Sequence, residues 1–319
     1  MTASRTLRLG TRGSALALWQ ARHVAELIGR QPGAPPVELV QIRTEGDVRT
    51  DVPLWAVGGR AFFTKEIDRA LLAGEVDIAV HSLKDLSTVL EEGIALAAAL
   101  TREDPRDALV SRDGLLLSEL PRGARVGTSS LRRRAFLARS RPDVQQLELR
   151  GNVPTRIERL RKGDYEAIIL AAAGLRRLGL EGSVSEHLST DAFPPAVSQG
   201  VIGICARASD AEALRWLRSL DDREARLAST AERALLRRLE GGCQVPLGAL
   251  GMVAGPSLRL QAAVCALDGS QMLAGQAEAS ATLENATTLG QSLADELLSK
   301  GAAELIAHER DSRTAVEAP

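Results

Sequence analysis

The stretch ARVGTSSLRRRAFLAR, Ala124 to Arg139, reads as a short strand, a polar corner and a helix. Ala124 to Val126 suit the end of a strand, and Ser129 or Ser130 suits the N-cap of a helix running through Phe136 to Arg139. Free amides at a helix start attract anions, and guanidinium forks bind carboxylate or phosphate in bidentate fashion. The corner is therefore an anion site, and the hydroxyls beside three arginines suit a polyanionic ligand. The same pattern recurs at two other junctions. TRGS (Thr11 to Ser14) follows the strand-like TLRLG and opens an apolar-periodic helix through Ile28, and LRGNVPTR (Leu149 to Arg156) follows the alternating VQQLELR and opens a helix to about Lys162. Repetition matters because 36 of the 40 basic residues are arginine, so an isolated run can be a solvated helix face produced by composition alone.

Outward from that stretch the chain alternates short apolar runs with amphipathic segments. VELVQIR, TKEIDRALLAG, VDIAV and IALAAAL precede EDPRDALV around Pro105, and RVGTSS, VQQLELR and YEAIILAAAG follow it. This is an α/β signature in two units, with a second Pro-bearing junction at DAFPPAVSQG. From Asp221 the character changes. REARLASTAERALLRRLE places Leu227, Ala231, Leu235 and Leu239 at four-residue spacing, strand candidates GALGMVAG, LRLQAAVCAL and MLAGQAEASA follow, and a last amphipathic helix is expected near Leu289 to Ile306. The expected architecture is two α/β domains around a cleft plus a smaller C-terminal α+β domain. The boundaries are 1–100 with 201–218, 106–194, and 221–319.

Composition narrows the function classes. A chain of 319 residues with 45% hydrophobic and 25% charged residues is ordinary for a soluble globular protein. A net charge of -1 and 3% aromatic residues argue against a nucleic-acid footprint. No apolar run approaches a membrane span, and MTASRTLRLG lacks the apolar core of a signal peptide, so a cytoplasmic protein is expected. Three cysteines, Cys205, Cys243 and Cys265, fit neither a disulfide framework nor paired zinc ligands, and four scattered histidines give little support for a metal site.

Two segments carry further chemistry. DIAVHSLKDLS, Asp77 to Ser87, runs a buried-looking strand into polar residues, where open α/β sheets present ligands, and it holds Lys84 beside Asp85. Cys243, in GGCQVPLG, follows a Gly-Gly turn and is placed for exposure and covalent chemistry; Cys205 and Cys265 read as small buried hydrophobes.

HSLKD, VGTSSLRRR, LRGNVPTR, AAAGLRRLGL, PAVSQG and LEGGCQVPLG, in this order and spacing, resemble the hydroxymethylbilane synthase (porphobilinogen deaminase) family from about Leu7 to the C-terminal helix. The resemblance implies two lobes like those of periplasmic binding proteins. It also implies a transferase that condenses four porphobilinogen molecules with loss of ammonia onto a covalent dipyrromethane cofactor, then releases the linear tetrapyrrole by hydrolysis. Cys243 matches the cysteine that carries the cofactor through a thioether, and Asp85 matches the catalytic carboxylate, suited to stabilise the azafulvene cation formed as the amine leaves. Each pyrrole carries an acetate and a propionate, which accounts for many separated guanidiniums. By motif position, Ser82, Lys84, Thr128, Ser130, Arg132 and Arg133 are expected on the cofactor, and Arg12, Ser14, Arg150, Arg156, Arg177 and Gln199 on substrate and growing chain. A monomer is expected, with no nucleic-acid or membrane partner.

The chain departs from the family pattern at Ser87, where proline is usual after HSxKDx, at Ala61 in GGRAFF, near the segment around Phe63 that resembles the family's active-site lid, and at Cys205, where an acidic residue is usual. The competing reading from another class is a non-catalytic two-lobed binding protein for a polycarboxylate. The missing export signal and the GGCQVP loop weigh against it.

Overall fold

The computed structural model describes residues 5–44, 64–239 and 245–307. Cys243, Gln244, Ala61 and the segment around Phe63 lie outside the described residues.

The first sheet orders its strands β2 (Val37–Gln41), β1 (Leu7–Thr11), β3 (Ile78–Ser82), β10 (Ile202–Arg207) and β4 (Ile94–Ala99). β1 pairs parallel with β2 and β3, whereas β10 runs antiparallel to β3 and β4. The second sheet repeats the plan. Its order is β7 (Gln145–Leu147), β6 (Arg125–Gly127), β8 (Ala167–Ala171), β5 (Asp107–Ser111) and β9 (Glu186–His187), with β6 parallel to β7 and β8, and β5 antiparallel to β8 and β9. In each lobe one strand is fed from the far side of the junction, so two chain segments cross between the lobes. They pair with each other: Leu100 N–H donates to Ile202 O at 2.9 Å and Glu103 N–H to Gly200 O at 3.1 Å.

Helices cover these sheets because their strands are apolar on both faces. α1 (Ala15–Gly29) packs Ala21, Val24 and Ile28 on Leu7, Leu9, Ile78 and Val80. α2 (Lys65–Leu72) closes the opposite face with Ile67 and Leu71 against Ala79 and Leu83. In the second lobe α3 (Leu131–Ser140) buries Phe136 and Leu137 on Leu109 and Val126, and α4 (Val153–Arg161) buries Ile157 and Leu160 with Tyr165 and Ile168.

The third lobe is an antiparallel meander of β11 (Leu247–Ala254), β12 (Ser257–Cys265) and β13 (Met272–Ser280) under α7 (Arg223–Arg238) and α8 (Leu283–Ser299). Leu227, Ala231, Leu235 and Leu239 all enter this core. A Cβ at Gly290 would lie 2.2 Å from Ala231 O, so glycine lets the two helices approach this closely. The last helix begins earlier than the sequence periodicity suggests, because Thr282 Oγ1 accepts from Asn285 N–H at 3.2 Å and nucleates it there. Gly301, at φ +98°, breaks it, and a separate helical stretch follows at 302–307.

Glu232 joins the three lobes. This fully buried carboxylate on α7 accepts from Ser198 N–H at 2.5 Å, Gly251 N–H at 2.7 Å and Arg102 Nη2 at 2.7 Å, so one side chain grips both crossing segments and β11. Among the described residues no helix is long and apolar enough to cross a membrane.

Candidate active site

In both lobes the expected residues gather at the carboxyl ends of the parallel strands, where an open α/β sheet leaves a crevice. Arg12 follows β1, and Ser14 caps α1 by accepting from Ala17 N–H at 3.3 Å. Ser82 ends β3, held by Gln20 Nε2 at 2.9 Å, and the 3-10 turn Leu83–Asp85 presents Lys84 and Asp85. Across the cleft, Thr128 follows β6 and accepts from Ser130 N–H at 3.2 Å, while Ser130, rather than Ser129, caps α3 through Arg133 N–H at 3.5 Å. Ser129 instead donates its hydroxyl to Leu149 O. Arg150 follows β7, and Asn152 caps α4, accepting from Thr155 N–H at 3.0 Å. β7 stops at Leu147, short of the alternating run, because the chain turns at Gly151 with φ +105°.

The electrostatics bring the lobes together. Burial lowers the Lys84 ammonium to about 8; Asp85 opposes that, and Arg133, Asp107 and Arg132 of the second lobe all act on it. Burial lowers Arg156 to about 10, with Arg133 and Arg150 pushing the same way and Glu148 and Asp85 opposing. Arg177, at the end of α5 (Ala172–Arg177), is lowered to about 10 by burial. It donates to Gly200 O at 2.5 Å and lies 5.9 Å over the Trp19 ring of the first lobe. Lys84 and Asp85 thus share one electrostatic space with the guanidiniums across the cleft.

Three residues of the expected set make hydrogen bonds within the protein. Arg132 and Arg133 are buried, and each is committed inside the protein. Arg132 Nη1 reaches Asp107 Oδ2 and Pro194 O, both at 2.7 Å, and Arg133 reaches Asp107 Oδ1 through Nε at 3.0 Å and Nη2 at 2.8 Å, and Ile169 O at 2.9 Å. Arg132 Nε is buried without a hydrogen-bond partner, so that guanidinium retains one donor for a ligand. Gln199 is fully buried with its amide in use, accepting from Lys84 Nζ at 3.2 Å and donating to Pro105 O at 2.8 Å and Asp107 Oδ1 at 2.9 Å. Its amide thus ties Lys84 to Pro105 and Asp107.

Sequence reasoning missed Asp107, Gln20 and Glu148. Asp107 is the fully buried anion under the arginine run; burial would raise its carboxyl, but Arg132 and Arg133 hold it well below the usual carboxylate range. No motif marks it, because an Asp before an apolar strand resembles any turn residue. Both carboxylate oxygens of Glu148 are buried without a hydrogen-bond partner. Cys205 and Cys265 are buried as expected, and burial pushes the Cys205 thiol up to about 12.

A cleft lined by hydroxyls and guanidiniums, with one carboxylate beside an ammonium, suits a ligand bearing several carboxylates. The family described as "Porphobilinogen deaminase, dipyromethane cofactor binding domain" matches residues 7–215, and "Porphobilinogen deaminase, C-terminal domain" matches 226–299. The chain belongs to the porphobilinogen deaminase family. Porphobilinogen deaminase of Roseiflexus sp. (strain RS-1) is 51% identical over 302 residues, 95% of this chain and 99% of that one. The enzyme of the same name from Trichlorobacter lovleyi is 48% identical over 300 residues, 94% and 95% of the two chains. Among solved structures, the methionine binding protein MetQ is similar at a TM-score of 0.42 and 14% identity, over 72% of this chain and 93% of that one. As a porphobilinogen deaminase family member the chain is an enzyme, a transferase of tetrapyrrole biosynthesis, and its first two lobes fall within the family's cofactor-binding region.

Proposed function

We propose that this enzyme joins four porphobilinogen units stepwise on a dipyrromethane held by a thioether to Cys243, and then releases the linear tetrapyrrole by hydrolysis. The observation that supports the reading is the hydrogen-bonded chain from Lys84, beside Asp85, through Gln199 to Asp107, on which Arg132 and Arg133 converge. The residues present fit the cofactor: the buried unpartnered Arg132 Nε, the Lys84 ammonium and the Ser82, Thr128 and Ser130 hydroxyls are donors suited to acetate and propionate groups. When bound, the dipyrromethane supplies the free pyrrole α-carbon at which the chain grows.

The residues of the chain do the rest. Asp85 stabilises the positive charge that develops on the substrate as its amine leaves, and helps move protons at the reacting pyrrole. Arg12, Ser14, Arg150, Arg156 and Arg177 hold the carboxylates of incoming substrate and growing chain. Arg133, tied to Asp107, lends charge to the cofactor site and anchors its floor. Gln199 positions Lys84 and Asp107. The division into 1–100 with 201–218, 106–194 and 221–319 assigns the cleft to the first two domains and the anchor to the third. The enzyme acts as a cytoplasmic monomer on a small molecule, without nucleic acid.

Intact-mass measurement of the purified protein under denaturing conditions, with a digest to locate any adduct, tests the anchor. The expected result is an added mass of two linked pyrroles on the Cys243 peptide, absent in Cys243→Ser. A Cys243 that stays bare after incubation with porphobilinogen, or an adduct on another residue, overturns it.

A further inference from the structure

Away from the cleft, a groove of about 560 Å3 lies where the third lobe meets the first. Its walls are one stripe of α7 and the facing side of α8. Arg233, Arg237 and Arg238 stand beside Thr230, Thr287 and Gln291, with Leu96 of β4 and Ala234 forming apolar floor and Thr88 closing the end nearest the catalytic turn. The stripe follows from helical spacing, since positions 230, 233, 234, 237 and 238 fall on one face. Among the described residues no acidic side chain lines the groove. Arg238 is offset by Asp295 at 2.7 Å, with both side chains about half exposed, and Arg237 has no ion-pair partner among the described residues. Guanidiniums, hydroxyls and an amide around a pocket of this size make a receptor for a compact oligoanion.

The groove is wired to the catalytic turn. Arg233 donates through Nη1 to Leu86 O at 3.0 Å and through Nη2 to Ser87 O at 2.5 Å, the two carbonyls immediately after Asp85. An anion in the groove competes for the same guanidinium, and a carboxylate or phosphate is a stronger acceptor for it than a neutral carbonyl.

We propose that this groove is a second, regulatory anion site, taking a small molecule with two or more carboxylate or phosphate groups, and that its occupancy lowers turnover by drawing Arg233 off the segment that carries Asp85. The kinetic half of the proposal rests on Asp85 as the catalytic carboxylate; the binding half does not.

The test uses the full-length holoenzyme and its Arg237→Gln variant, with inorganic pyrophosphate and citrate titrated separately by calorimetry at fixed ionic strength, which removes simple screening. At least one of the two should bind wild type saturably, identifying phosphate or carboxylate as the preferred source, and Arg237→Gln should weaken that binding about tenfold, the loss of one charge-assisted contact. In initial-rate assays the bound anion should lower kcat with KM for porphobilinogen unchanged, and Arg237→Gln should keep normal basal turnover while losing sensitivity to the anion. Failure of both anions to bind, binding equal in the two proteins, or inhibition competitive with porphobilinogen and equal in both would overturn the site. A wild-type protein that binds the anion in the Arg237-dependent way but has no turnover would instead overturn the reading of Asp85 and the catalytic cleft, leaving the groove in place.

Discussion

Gln199 accepts a hydrogen bond from Lys84 at 3.2 Å, joining the segment that crosses between the lobes to the turn that carries the cleft's lysine and carboxylate. The same amide donates to Asp107, on which Arg132 and Arg133 converge. Lys84, Gln199, Asp107 and the two arginines thus form one polar chain across the floor of the cleft.

Asp85→Asn removes the negative charge while keeping the shape of the side chain. Turnover is expected to fall by roughly 10²–10⁴, the usual worth of a positioned acid–base group, with the protein folded and its covalent pyrroles retained. Steady-state assays alongside circular dichroism and intact mass check this. Near-normal turnover would take Asp85 out of the chemistry.

Asp107→Leu leaves Arg132 and Arg133 buried without their anion. Removing one side of a buried ion pair costs about 3–5 kcal/mol, so the urea midpoint should drop sharply, and the variant should lose stability more than any exposed Asp→Leu control. Since the two guanidiniums hold Asp107 low, the stability it contributes is present above the ordinary carboxylate range and is lost as pH falls towards its depressed native value. A midpoint within experimental error of wild type would contradict the brace.

Gly200→Ala places a Cβ 2.3 Å from Glu103 O at a residue with φ +90°. The crossing segments cannot then keep their pairing, and a loss of about 2–4 kcal/mol is expected from combined strain and clash. Gly182→Ala, where a Cβ meets nothing within 4 Å, is the matched control and should be close to neutral in thermal unfolding.

Asp68 on α2 is pushed up to about 6, first by burial and then by Glu91 and Glu66, against the Thr64 hydroxyl. Its native value lies above the unfolded one, so the folded state binds more protons between about pH 4 and 6, and stability falls as pH rises through that window. Asp68→Asn should therefore raise the Tm, by more near pH 7.5 than near pH 5. An equal shift at the two pH values would mean that the carboxylate titrates normally.

Much of the architecture was legible because it follows from local rules. Apolar runs such as YEAIILAAAG and DIAVHS must be covered on both faces, and Ser14, Ser130 and Asn152 each cap a helix through their own side chains. These placed Arg12, Thr128, Arg132, Arg133 and Arg150 at helix starts without reference to distant residues. The start of α8 was harder to see, since Leu283–Leu289 presents a polar face and the Thr282 cap carries little hydrophobic signal.

The sequence by itself determined the order of elements, the presence of two α/β units followed by a C-terminal α+β unit and the clustering of cations at strand-to-helix corners, because periodicity and capping act over a few residues. Only the tertiary structure decided which cations keep donors for a ligand. Asp107 lies 25 residues from Arg132 in the chain and 92 from Gln199, and Glu232 lies 130 from Arg102. A buried charge must find an opposite charge or a donor wherever the fold brings one, and that choice is made by packing between lobes, which no local pattern encodes.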